Sequence, residues 1–262
     1  MGRLDNKVAV VSGAARGLGA GICRRLAAEG AVVVCTDVLD ASATVASLAP
    51  SASGQPHKAV HLDISDTAAV EKVIGEVYKD YGHLDILVNN AGIKQPIGDV
   101  IDTTDETFDT VFRTNVRGTL AMSRAAGQIM KKQGSGRVVN IASQVGKRAW
   151  PGWGTYSASK FAILGFTQAM ALEMAPYNVT VNAICPGTMD TDMTKGGFGM
   201  SAQQKKRDRD ELIQEHIDLD IPMKRLGTPD DVGAMVAFLA SDDAAFTTGA
   251  GLNLTGGEQI WF

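Results

Sequence analysis

Apolar and polar positions alternate between two periods along the whole chain. Residues 7–12 (Lys-Val-Ala-Val-Val-Ser) form a continuous apolar run of strand length. A glycine-rich stretch follows, and Ile22, Leu26 and Ala27 then recur at helical spacing. Further strands are predicted at 32–35 (ending at Asp37), 57–62, 84–88, 137–142, 179–185 and 251–255. Between them the spacing predicts a weak helix at 41–49 and a helix capped by Asp66 that carries Val70, Val73, Ile74 and Val77. It also predicts a long helix over 105–132, one over 154–175 ended near Pro176, and one from Pro229 to about Leu239. Continuous apolar strands separated by amphipathic helices mark a parallel sheet covered on both faces. The expected fold is therefore α/β: a single doubly wound domain over 1–262, with a mostly parallel seven-stranded sheet. No linker or fixed-period repeat divides the alternation. Residues 189–223 depart from it, carrying Gly196-Gly197-Phe198-Gly199 and the charged run 205–211. They read either as a solvated loop with a surface helix or as a substrate lid.

Composition sharpens this picture in three respects. The 262 residues include 29 glycines without a three-residue period, many beside apolar runs, which points to turns and close backbone approach. With 25 Lys and Arg against 29 Asp and Glu the net charge is −4, which gives no reason to expect a nucleic-acid or anionic-membrane surface. Cys23, Cys35 and Cys185 lie in apolar runs without CxxC spacing, as buried thiols of a reducing compartment do. The four histidines form no ligand pair, so no metal site is expected. Residues 1–6 are polar and no run approaches the roughly 20 apolar residues a membrane span requires, so the cytoplasm is the expected location.

Candidate chemistry clusters at strand ends. Directly after the first strand comes Ser12-Gly13-Ala14-Ala15-Arg16-Gly17-Leu18-Gly19. Glycines there let the backbone approach a pyrophosphate, whose charge meets the N-terminus of the next helix. The spacing is GxxxGxG rather than GxGxxG. Asp37 ends the second strand, 18 residues beyond Gly19, where a carboxylate accepts from ribose hydroxyls and repels a 2′-phosphate. Its other reading is a strand-end turn, and Arg16 argues the opposite way by offering a guanidinium to a phosphate. NAD is favoured. Asp63, with Ile64 beside it, ends the third strand and reads as an adenine contact or an ordinary loop residue. Asn89-Asn90-Ala91-Gly92 ends the fourth, where small residues let a ring lie on the backbone. Tyr156 and Lys160 are four apart on one helix face. An ammonium beside a tyrosine lowers its pKa from about 10 and makes proton exchange feasible, although such pairs also occur on plain helix surfaces. Ser143, just past the fifth strand, is placed to orient a reacting oxygen.

Taken together these stretches resemble the short-chain dehydrogenase/reductase superfamily over nearly the whole chain. The matching set is SGAARGLG at 12–19, NNAG at 89–92, Asn115, Ser143, YSASK at 156–160, and Pro186-Gly187-Thr188. Ser12 departs from the threonine usual in the family but keeps a hydroxyl. The resemblance implies a Rossmann fold with Tyr156 as acid/base and Lys160 lowering its pKa and holding the nicotinamide ribose. It gives Ser143 the substrate oxygen, and Asn115 a helix irregularity and a water-linked proton path. Gly13, Arg16, Gly17, Leu18, Gly19, Asp37, Asp63, Ile64, Asn90, Ala91, Gly92, Pro186, Gly187 and Thr188 would line the NAD site with Tyr156 and Lys160. A homo-oligomer, a tetramer above all, is also implied.

Substrate contacts are expected from Gln95, Gln144, Trp150, Trp153 and Asp190. The glutamines and Asp190 suit hydroxyl groups, and the tryptophans suit an apolar ring or a sugar face, or simply loop packing. The leading expectation is NAD-dependent interconversion of a small secondary alcohol, a polyol or sugar, and its ketone. The alternatives are reduction of an apolar or cyclic ketone or of a 3-oxoacyl thioester, and a non-catalytic nucleotide-binding interaction protein.

Overall fold

The computed structural model describes residues 2–260, without the side chain of Gln204. Within them the apolar runs become β1 (Val8–Ser12), β2 (Val32–Asp37), β3 (Lys58–His61), β4 (Ile86–Asn89), β5 (Gly136–Ile141), β6 (Val179–Pro186) and β7 (Gly251–Leu254). They form one sheet in the order β3-β2-β1-β4-β5-β6-β7, and every neighbouring pair is parallel. β1, β4 and β6 are buried at every position, because helices cover both faces, whereas β3 at the edge is exposed at every second residue.

The helices are α1 (Gly17–Ala28), α2 (Ser42–Ala46), α3 (Thr67–Tyr81), α4 (Asp105–Phe112), α5 (Thr119–Gln133), α6 (Gly154–Met174), α7 (Asp192–Lys205), α8 (Arg209–Asp220) and α9 (Pro229–Ala240). On one face Ile22 and Leu26 of α1 and Val232 and Val236 of α9 pack on Val11 and Val33. On the other, Val70 and Ile74 of α3 and Met122 and Met130 of α5 pack on Val10 and Leu87. Asp66 caps α3 as its sequence position predicts, accepting from the amides of Ala68 and Ala69.

Two segments differ from the periodicity. The single helix expected over 105–132 is interrupted by a π-helical turn, Arg113–Gly118, between α4 and α5. Asn115 sits inside that turn and is 1% exposed. Residues 189–223 are two capped helices. Thr191 accepts from the Thr194 amide to start α7, and Asp208 accepts from Asp210 and Glu211 to start α8. The 196–199 glycine cluster therefore lies inside α7, where the cap and flanking helix formers outweigh glycine's cost of about 1 kcal/mol per residue. Among the described residues no helix is long and apolar enough to cross a membrane.

Candidate active site

β1 lies between β2 and β4, so the winding reverses there and the carboxyl ends of β1 and β4 open a crevice. A cavity of about 880 Å³ runs across the carboxyl ends of the sheet. At one end it is lined by Gly13, Arg16, Gly17, Leu18 and Gly19, with Asp37, Asp63, Ile64, Asn90, Ala91 and Gly92 beside them. Gly13 and Gly17 have φ of +66° and +56°, which a side chain rarely adopts. A Cβ on Gly19 would lie 1.9 Å from the Gly13 carbonyl oxygen. The turn is thus folded flat against the start of α1. That helix, unlike α3, α8 and α9, has no side-chain cap, since Arg16 makes no capping bond. Its leading amides remain available to an anion, and this cradle fits the pyrophosphate of a dinucleotide.

The NNAG stretch holds the turn in place. Asn90 Nδ2 donates to the carbonyls of Ser12 (3.0 Å) and Gly13 (2.9 Å). The Ser12 hydroxyl accepts from the amides of Asn90 and Ala91, both at 3.1 Å, so a serine hydroxyl suffices for this lock. Asp37 accepts from the amides of Ala15 and Leu39, each at 2.9 Å, while also lining the cavity. It is a strand-end turn residue and a cavity-wall residue at once. Arg16 is exposed, and its guanidinium lies 3.6 Å from Asp192 of α7.

The other end gathers Ser143, Gln144, Trp150, Trp153, Tyr156, Lys160, Pro186, Gly187 and Thr188. Tyr156 is buried, and burial pushes its phenol up to about 12 against a smaller downward pull from the Ser143 hydroxyl. Lys160 is pushed by burial down to about 8; its ammonium lies 5.6 Å from the Tyr156 ring and donates to the Ile141 carbonyl at 2.7 Å. The lowering of the phenol pKa expected from the sequence is outweighed here, because desolvation opposes phenolate more strongly than its neighbours favour it. Asn115 stands behind the cavity. Its amide accepts from the Ile93 amide (2.8 Å) and donates to the Ile93 carbonyl (2.9 Å) and the Ser159 hydroxyl (3.1 Å). The π-turn thereby ties the loop after β4 to α6, and a Cβ on Gly92 would meet Asn115 Oδ1 at 3.2 Å and Lys160 Nζ at 3.7 Å.

Two residues expected to touch substrate do not line the cavity. Gln95 is buried and accepts from the Tyr156 backbone amide, and Asp190 pairs with Lys195 at 2.8 Å. Two others went unrecognised in the sequence. The Glu258 carboxylate, 3% exposed, accepts from Gln144 Nε2 (2.7 Å) and from the amide and hydroxyl of Thr188 (both 2.8 Å). His216 of α8, on the cavity wall, lies 3.3 Å from Glu258 and 2.8 Å from Asp220. Burial pushes Glu258 up, but the bonds from His216, Gln144 and Thr188 together carry it below the usual carboxylate value. A lone Glu after Gly-Gly and a lone His on a polar helix give no local signal; only the fold joins them.

The His216 pKa is raised, first by Glu258, against its burial. Its contribution is therefore complete below the unfolded value of about 6.5 and is lost as pH rises through the higher folded value. Amide exchange in α8, corrected for intrinsic rate, should quicken about fivefold between pH 6 and 9, since a partly exposed charged hydrogen bond contributes about 1 kcal/mol. A His216→Asn variant should lack this dependence, and equal pH dependence in both proteins would refute it.

A family model described as enoyl-(acyl carrier protein) reductase matches residues 13–258. The chain belongs to the short-chain dehydrogenase/reductase superfamily. Galactitol 2-dehydrogenase from Agrobacterium fabrum strain C58 is 36% identical over 98% of this chain and 99% of that protein. The 3-oxoacyl-[acyl-carrier-protein] reductase FabG of Escherichia coli K12 is 35% identical over 98% of each. The crystal structure of levodione reductase superposes with a TM-score of 0.91 at 32% identity, covering 97% of this chain and 98% of the other. Membership makes the chain an oxidoreductase of a family that acts on CH–OH groups and typically binds NAD(P).

Proposed function

We propose that the protein is an NAD-linked dehydrogenase that interconverts a small secondary alcohol, a polyol or sugar, and its ketone. The supporting observation is one cavity with a glycine cradle and Asp37 at one end and Ser143, Tyr156 and Lys160 at the other. A bound nicotinamide supplies the hydride exchange at carbon. Tyr156 gives a proton from its hydroxyl to a carbonyl oxygen, or takes one from an alcohol, and Ser143 donates to the same oxygen. Lys160 keeps positive charge beside the phenol and holds the nicotinamide ribose. Asn115 fixes the loop at Ile93 and supports a water-linked proton path. Pro186, Gly187 and Thr188 close the cofactor wall, with Thr188 held by Glu258.

Gln144, held by Glu258, gives the substrate end a polar wall suited to hydroxyl groups, and the likeness to galactitol 2-dehydrogenase supports the same choice. The second reading, reduction of an apolar or cyclic ketone or a 3-oxoacyl thioester, draws on Trp150, Trp153, Met189 and Met193 along the wall and on the likeness to levodione reductase and FabG. A purely nucleotide-binding role would have no use for the proton exchange that Ser143 and the buried Tyr156 are placed to perform. Exposed apolar residues on neighbouring helices (Leu120 of α5; Phe161, Phe166 and Leu172 of α6) support pairing with a second copy and a homotetramer. α7 and α8 form the proposed lid of the single domain, since Met193, Phe198 and His216 reach the cavity from them.

NADH absorbance should rise with galactitol, sorbitol or xylitol, and turnover confined to apolar ketones would reject the polyol reading. NAD should be preferred to NADP by at least about tenfold, the effect of one misplaced charge of about 1.4 kcal/mol. Asp37→Ala should erase most of that preference in kcat/KM; a native preference for NADP would overturn the assignment.

A further inference from the structure

The loop after β4 brings Lys94 to the cavity wall. Its ammonium lies 4.8 Å from the Trp153 ring centroid and 5.8 Å from that of Tyr156. The other cations near the cavity have partners: Lys160 donates to Ile141, Lys147 to the Gly251 carbonyl at 2.6 Å, Arg16 lies near Asp192, and Lys195 pairs with Asp190. Lys94 has no carboxylate within ion-pair distance among the described residues. Burial lowers its pKa, and it in turn lowers that of Lys160, so two ammonium groups flank the phenol. Aromatic faces offset part of the cost of desolvating a cation but accept none of its three N–H donors as an oxygen would. An ammonium so placed gains most from an anion that enters the cavity with the substrate.

We propose that Lys94 is the anion-binding subsite for the substrate, and that the preferred substrates are small hydroxy acids, or the corresponding keto acids, whose carboxylate lies a few bonds from the reacting carbon. The inference rests on the alcohol–ketone reading above and narrows its substrate class. Tyr156 and Ser143 engage the carbinol oxygen while Lys94, above the same tyrosine ring, takes the carboxylate. The two contacts fix which carbon faces the hydride. Trp153, beneath the ammonium, forms the apolar floor between them.

The test compares substrates that share a skeleton and differ at one end: galactonate against galactitol, and gluconate against sorbitol. The wild-type kcat/KM should favour the carboxylate of at least one pair by about tenfold or more, mainly through KM. In Lys94→Met, which keeps the side chain's length and its packing on Trp153, the carboxylate-to-polyol ratio should fall about thirtyfold, the size of a charge-assisted hydrogen bond. Lys94→Arg should recover most of it. An unchanged ratio would mean that Lys94 serves only to position Tyr156, and would overturn the proposal. Quenching of tryptophan fluorescence by galactonate, gluconate and 3-hydroxybutyrate provides a readout that needs no turnover. Saturable quenching that Lys94→Met abolishes supports the subsite, and absence of binding by all three overturns it. Binding through Lys94 without turnover of any alcohol or ketone would instead defeat the dehydrogenase reading and leave the subsite standing.

Discussion

Tyr156→Phe should reduce turnover in both directions by about 10²–10⁴-fold, the usual contribution of a positioned general acid/base, while NADH still binds. The substitution removes one oxygen and leaves the ring that stacks edge-on against Trp153 at 6.4 Å, so folding should be spared. The direction of the phenol's shift adds a second signature. With its pKa pushed up to about 12, Tyr156 carries its proton throughout the neutral range and is ready to donate to a carbonyl oxygen. Alcohol oxidation needs the phenolate, whose fraction grows about tenfold per pH unit below the pKa. Oxidation in the wild type should therefore climb with pH up to about 8, where Lys160 begins to lose the charge that favours the phenolate, and reduction should not. Rates read from NADH absorbance, binding from NADH fluorescence and stability from thermal melts together test this. Full activity in Tyr156→Phe would move the proton to another group.

The sequence reveals the parts of this fold that are local. β1, β4 and β6 read correctly because complete burial makes their runs uniformly apolar, and α3 because Asp66 announces its start. The π-turn at Arg113–Gly118 leaves no trace in the periodicity, since helical spacing carries on through it; only the family resemblance points to an irregularity at Asn115, whose bonds to Ile93 and Ser159 lie in other segments. The glycines at 196–199 read as part of a solvated loop or a lid on composition, but Thr191 and the residues around them commit the stretch to helix. Gln95 and Asp190 sit in the expected loops, yet loop geometry turns one to the Tyr156 amide and the other to Lys195. Glu258 and His216 meet only because β7 and α8 converge on Thr188, a contact without any periodic trace. The glycine turn, by contrast, is legible because its chemistry depends on the absence of side chains.

That absence also sets the second large effect. Gly19→Ala should abolish measurable cofactor binding and destabilise the protein, because its Cβ would fall 1.9 Å from the Gly13 oxygen and 2.7 Å from Asn90 Nδ2. Neither neighbour is free to yield. Asn90 is bonded to the carbonyls of Ser12 and Gly13, and Gly13 is itself pressed against Ala91, where a Cβ would come within 2.8 Å. Overpacking of this kind costs about 1–3 kcal/mol, or several degrees in Tm for a chain of this size. Gly17→Ala separates the two effects. Only Thr191 Cγ2, at 3.9 Å, lies near its Cβ position, so the protein meets no clash there, although φ of +56° still costs about 1–2 kcal/mol. Its methyl would enter the cradle where a phosphate must approach the backbone. Gly17→Ala should therefore lose at least about thirtyfold in NADH affinity, some 2 kcal/mol, with a smaller fall in Tm than Gly19→Ala. Fluorescence titration and melting curves on both variants distinguish the two causes. Native NADH affinity in both would mean that this turn does not hold the cofactor's phosphates.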